Sequence, residues 1–253
     1  MIRTALAAAL ALCLALPAHA ADLSAHDILQ KARDQGALNL VGLKAQLTLI
    51  TTEPGGATQT RVLTTQSRAI DGVTKTVSRF SSPPDVAGVA LLTVTAKPGG
   101  ADEVALYAPK VRRARKIAPG ARGQSFMDSE FSYADFSGAS LDGAKPTRGP
   151  DATVNGTPCD VITATPKDSP YKKVIAAIDA KTFMPVQVQY FDEKGLLKTY
   201  TVQKTEVRLG HSIATQSVME NARTHRKSAL SVGQVEKADA PDAAFTLRGL
   251  ERG

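Results

Sequence analysis

Tryptophan is absent from the 253 residues, and there are only two cysteines, Cys13 and Cys159. Cys13 sits inside the apolar run 5–16 of a secretory leader. Arg3 gives that leader its positive start, and Ala18-His19-Ala20 is a small-x-small cleavage signal before Ala21. The run is shorter than the roughly 20 residues that span a bilayer, and no second one follows it. Cleavage after Ala20 leaves Cys159 as the sole thiol, which excludes an intramolecular disulfide in the oxidising periplasm to which the leader points. Beside Val161 and Ile162, that thiol reads as a small buried hydrophobe. Histidine is also scarce. His26, His211 and His225 remain, far apart and without carboxylates at ligand spacing.

The motifs that carry chemistry are missing too. There is no Gly-x-Ser-x-Gly elbow, His-Glu-x-x-His, Cys-x-x-Cys or phosphate-cradling glycine loop. Asp128, Glu130 and Asp135 come nearest to paired carboxylates for acid–base work. They read instead as solvating groups, with Asp135 as a backbone anchor. The sequence therefore assigns no catalytic residue, no cofactor and no metal site, and the expectation is a protein that is not an enzyme. The formal charge is +7, which falls to +6 once Arg3 leaves with the leader. At a periplasmic address this favours anionic lipid headgroups and acidic partner surfaces, with no role for nucleic acid.

What is present is alternation. After a short helix from Ser24, capped by Ser24 and Asp27 and stopped at Gly36, the period changes to two. Leu43, Ala45, Leu47 and Leu49 alternate with Lys44, Gln46 and Thr48, as in a half-buried strand. Further strands are expected over 58–70, 73–81, 89–96, 103–108 and 110–118. Asp71-Gly72 marks a tight hairpin, and Lys97-Pro98-Gly99-Gly100 marks a turn. Residues 138–150, rich in glycine and without apolar period, read as a surface crossover between two halves of one sheet. A second meander follows over 159–166, 171–179, 183–191, 196–207, 212–218 and 225–232, with a short closing helix near 242–250. The fold class expected is mainly β: a curved antiparallel sheet forming an unclosed barrel, with helices over its concave face. Residues 1–20 are the signal peptide and 21–253 a single half-barrel domain.

The most distinctive stretch is 107–136. It opens with Tyr107-Ala108-Pro109 and a basic run containing Arg112, Arg113, Arg115 and Lys116. Charge on both faces of a strand suits either a solvated edge that blocks aggregation or a docking patch for headgroups or a membrane transporter. Beyond Pro119-Gly120 come Phe126, Met127, Phe131, Tyr133 and Phe136, which include three of the seven phenylalanines in the chain. Ser129 is placed to cap a short helix there. The rings read either as a lid or rim, or as the closure of one end of an ordinary core.

Residues Tyr107, Pro109, Arg122, Ser125, Phe126, Met127, Ser129, Phe131, Ser132, Tyr133 and Asp135, preceded by Phe80-Ser81-Ser82-Pro83-Pro84 and Gly88, form a spaced pattern. It resembles the outer-membrane lipoprotein-sorting family, the LolA-like proteins of the LolA/LolB superfamily, over nearly all of the mature chain. The absence of tryptophan departs from the sorting carriers. The resemblance implies an unclosed barrel with helices across its mouth, and a periplasmic carrier or chaperone. Such a carrier shields acyl chains of lipoproteins or another lipid, opening a lid to admit them. It also implies an inner-membrane transporter of ABC or RND type as donor and an outer-membrane acceptor. The alternative is a lipid- or lipoprotein-sensing module in envelope-stress signalling.

Hiding an acyl chain is worth about 0.8 kcal/mol per methylene, so on the order of 10 kcal/mol for a fatty chain. Leu47, Leu49, Leu91 and Leu106 are among the strand residues that would line such a cavity, or else fill a solid core.

Overall fold

The computed structural model of the chain describes residues 23–35, 38–95, 102–137, 141, 143–167 and 169–252. The leader, the helix stop at Gly36 and the turn at 97–100 lie outside the described residues. The first helix, α1 (Ala25–Gln35), begins as expected: Asp27 N–H donates to Ser24 Oγ at 3.2 Å, and the Ser24 hydroxyl donates to the Asp27 carboxylate at 2.7 Å. Ile28 and Leu29 are the face it buries.

Strand alternation then builds the sheet. β1 (Leu43–Thr52) buries every second residue from Leu43 to Thr51. β2 (Thr58–Ile70) and β3 (Val73–Ser82) are joined at Asp71-Gly72, both with positive φ (53° and 73°). Two left-handed residues match the right-handed twist of a hairpin, which is why this dipeptide sits there. β4 (Ala90–Thr95), β5 (Glu103–Ala108) and β6 (Arg113–Lys116) complete the first meander. The second comprises β7 (Lys145–Arg148), β8 (Ala152–Val154), β9 (Thr157–Thr165) and β10 (Lys173–Asp179). It continues through β11 (Pro185–Asp192), β12 (Gly195–Arg208), β13 (His211–Asn221) and β14 (Lys227–Lys237).

All pairings between these strands are antiparallel, in the order β6-β5-β4-β3-β2-β1-β14-β13-β12-β11-β10-β9-β7, with β8 paired beside β9. β1 and β14 weld the two meanders together, with Leu47 opposite Val232 and Leu49 opposite Leu230. β6 and β7 end the sheet without pairing to each other, so the barrel is unclosed. Of the stretch that joins those two edges, residues 117–137 pack on the concave side, against the main core. They carry the 3₁₀ turn Pro119–Ala121 and α2 (Tyr133–Ser137). The main core lies on this side, around Leu47, Leu49, Leu91, Phe126, Ile162 and Val174.

A smaller core lies on the other side of β4 and β5. There the 3₁₀ turn Asp242–Phe245 and α3 (Leu247–Arg252) bury Phe245 and Leu250 against Ala90, Leu92 and Ala105. Arg79 donates to the Leu250 carbonyl at 2.8 Å. Gly249 is required in this close packing, because a Cβ there would stand 2.3 Å from the Ala243 oxygen.

Three local expectations are corrected. The basic stretch is strand only from Arg113 to Lys116. Residues 109–112 form a turn instead, with Arg112 in the left-handed region (φ 49°). Of the stretch expected as a crossover, residues 138–140 and 142 lie outside the described residues, and 145–148 form the edge strand β7, whose pairing with β9 needs no apolar period because most of it faces water. Ser129 caps no helix. Met127 and Asp128 both adopt positive φ (50° and 52°), which folds the chain into a tight turn, and Ser129 Oγ donates to the Phe126 carbonyl at 2.7 Å.

Candidate functional site

Between the two meanders the concave face keeps a cavity of about 200 Å³. Its wall on the second meander is apolar: Val174, Ala176 and Ile178 of β10, Val188 of β11, and Met219 and Leu230 of β13 and β14. Leu47 of β1 and Leu29 and Ala32 of α1 continue that surface. The opposite wall, on β2, β3 and β4, is lined with threonine and serine. Tyr190 and Tyr200 also face the cavity. Burial pushes the Tyr190 hydroxyl well above its ordinary range and Tyr200 up to about 12, so both phenols stay protonated at neutral pH; the charged groups on the lining, Arg33 and Asp135, are each held in an ion pair. The Tyr200 and Ser217 hydroxyls are neighbours, yet neither has a partner of good geometry.

The aromatic segment forms one end of this space and is tied at both of its ends. Phe126 is fully buried, its ring tilted against Phe80 at 5.5 Å and edge-on to Tyr133 at 5.6 Å and Phe136 at 4.9 Å. Phe131 lies 5.3 Å from Phe136 and 6.3 Å from Tyr200. Below them is a buried ion pair, Lys198 Nζ to Asp135 Oδ2 at 2.5 Å, with side chains 6% and 3% exposed. Asp135 also accepts from the Ser132 N–H at 2.7 Å and the Tyr171 hydroxyl at 2.8 Å, while Lys198 donates to the Glu130 carbonyl at 2.9 Å. Each charge is thus met by several hydrogen bonds, the condition under which a buried pair is tolerated. At the other end Arg226 reaches Glu53 at 2.6 Å, Asp128 at 3.1 Å and Glu130 at 3.4 Å.

Of the residues singled out from sequence, Leu47, Leu91, Phe131 and Phe136 come together on the cavity lining. Leu49, Phe126, Met127 and Tyr133 belong to the surrounding core, outside that lining, and Leu106 packs at its edge. Arg112, Arg113, Arg115 and Lys116 lie on the exposed turn and edge strand at the sheet's end, away from the cavity. Lys116 pairs with Glu103 at 2.9 Å, and the three arginines make no ion pair among the described residues. The Ala114 N–H on this edge is taken by the Glu251 carboxylate at 2.9 Å.

Sequence reasoning missed Lys198, Tyr171, the hydroxyl wall, and Arg33, which lines the cavity while paired with the buried Asp102 at 3.0 Å. A signal for the wall existed. Thr74, Thr76 and Ser78 alternate as regularly as any leucine stripe, and Lys198 shares its inward frame with Tyr200. Among the described residues no group of three or more His, Cys, Asp or Glu could hold a metal ion, and no helix is long and apolar enough to cross a membrane. Cys159 is buried and free, its thiol pushed up by burial.

Comparison with known proteins places this geometry among relatives. A family model described only as "-like: Uncharacterized protein" matches residues 72–252. A search of curated proteins finds no match. Among solved structures, a domain assigned to an outer membrane lipoprotein-sorting protein of Vibrio parahaemolyticus is 26% identical. It covers 90% of this chain and 98% of its own, with a TM-score of 0.78. A DUF1329 family protein from Desulfovibrio piger is 20% identical over 89% of this chain and 97% of its own, with a TM-score of 0.76. A LolA superfamily protein from Nitrosomonas europaea is 20% identical over 88% and 98%, with a TM-score of 0.68. The last two likenesses are of fold.

Proposed function

We propose, for a chain that belongs to the LolA-like lipoprotein-sorting family, that it is a periplasmic carrier. In this reading the half-barrel holds acyl chains of lipoproteins, or another lipid, during transfer towards the outer membrane. The observation that carries the reading is the cavity, about 200 Å³, with an aliphatic wall in the middle of the concave face. An engineered apolar cavity of about 150 Å³ stays dry and admits benzene. A space of this size therefore suits one segment of one chain. Burying each methylene contributes about 0.8 kcal/mol, and release needs only an acceptor with a deeper apolar site. Binding and release suffice, with no bond made or broken and no cofactor.

Leu47, Leu91, Phe131 and Phe136 are assigned direct contact with the chain. Leu49, Leu106, Phe126, Met127 and Tyr133 are assigned to the layer that holds them. Because residues 126–136 are pinned by Lys198 and by Arg226, we assign them to a fixed wall rather than to a moving lid. The exposed Arg112, Arg113 and Arg115, with Lys116, are the proposed contact for an anionic membrane surface or for an ABC- or RND-type inner-membrane donor. An outer-membrane acceptor completes the route.

The test is retention of a synthetic lipopeptide in solution after detergent removal. The mature protein should keep the lipopeptide soluble. Ala176→Trp, which places a ring in the cavity, should lose that capacity while keeping its melting temperature within a few degrees. Equal retention by the two proteins rejects the cavity as the binding site.

A further inference from the structure

The two walls of the cavity are chemically unlike, and the difference follows strand by strand from the register. Thr65 and Ser67 on β2 stand opposite Ser78 and Thr76 on β3, and Thr76 stands opposite Thr93 on β4. All five line the cavity, as does Thr74 on the next rung. Two cross-strand pairs satisfy each other: the Thr65 and Ser78 hydroxyls are hydrogen-bonded, and Thr76 donates to Ser67 at 2.9 Å. Thr93 does not join them. It is 4% exposed, and its hydroxyl has no hydrogen-bond partner among the described residues.

A hydroxyl offers one donor and two acceptor sites, so even the paired members of this wall keep acceptor capacity. A plain alkyl chain pressed against it would leave those groups desolvated and unmet, which is unfavourable. The facing aliphatic wall, by contrast, asks for methylenes. We propose that the cavity selects a hydroxylated lipid chain, with the β2–β4 wall binding its hydroxyl at Thr76 and Thr93 and the β10–β14 wall binding its methylenes. This rests on the carrier reading and names the class of chain it takes.

The experiment is displacement of a naphthylamine fluorophore from the full mature protein by stearate and by two positional isomers of hydroxystearate. At least one hydroxystearate should bind about tenfold more tightly than stearate, a difference of about 1.4 kcal/mol. In Thr76→Val/Thr93→Val, which keeps the shape and removes the hydroxyls, the ratio should fall to about one, with stearate bound no more weakly than before. Thr93→Ser, which keeps a hydroxyl, should retain the preference. If the double variant fails to fold, Thr93→Val alone should show the ratio falling several-fold. Equal binding of all chains by the unmodified protein overturns the inference and leaves the carrier reading intact. A preference that survives the valine substitutions overturns it too. Failure of every chain to displace the probe overturns the carrier reading itself.

Discussion

At the residue scale the structure turns on Lys198 and Asp135. Each is almost wholly buried, and each is the other's countercharge. Removing one leaves an uncompensated charge in the core, which typically costs about 3–5 kcal/mol. Lys198→Met and Asp135→Asn should each destabilise by an amount of that order in urea unfolding. The double variant should lose clearly less than the sum, because no orphan charge remains. Additive losses would contradict the direct coupling described here. Sequence reasoning found half of this pair. Asp135 was legible as a backbone anchor, and the Ser132 N–H is the group it holds. Lys198 was not, because a lysine in an alternating strand is ordinarily on the wet face.

At the scale of elements, the strands were legible wherever one face is dry and the other wet. β1 and β2 follow their hydrophobic alternation, and the β2–β3 turn follows Asp71-Gly72. β7 was invisible for the same physical reason, since an exposed edge strand has no dry face to mark it. Residues 126–131 misled in another way. Their composition allowed a helix, but Met127 and Asp128 in left-handed conformations turn the chain before one can start.

Two predictions belong at this scale. The turn between β11 and β12 is clamped to the turn after β13 by Arg223, which donates to the two Asp192 oxygens at 2.8 and 2.5 Å and holds that carboxyl down at about 2. An unfolded aspartate titrates near 3.9. The pair therefore contributes stability at neutral pH that is lost as pH falls from about 4 towards about 2. Asp192→Asn should cost less than about 1 kcal/mol at pH 7, since the pair is partly exposed. Melting temperatures of variant and parent should converge by pH 2, and a gap that persists there would contradict the linkage. The second concerns the exposed basic edge around β6. Arg112→Glu, Arg113→Glu and Arg115→Glu together should abolish salt-sensitive sedimentation with vesicles rich in anionic lipid. Unchanged sedimentation would reject a docking role and leave β6 a charged edge that blocks strand addition.

At the scale of the whole molecule, an unclosed barrel with helices over its concave face could be expected from two meanders separated by one irregular stretch, and the family pattern in 107–136 pointed the same way. What could not be read was whether the inward leucines close on each other or leave room. That depends on the distance between two sheets of side chains, which alternation does not encode. The structure leaves room, and it divides the lining between an aliphatic wall and a hydroxyl wall. The most direct measurement of the central claim is native mass spectrometry of the protein purified from the cells that make it. The account predicts a population carrying one lipid-sized adduct, extractable into organic solvent and absent from Ala176→Trp. A single unliganded mass for the parent protein, or an adduct that persists undiminished in Ala176→Trp, would contradict it.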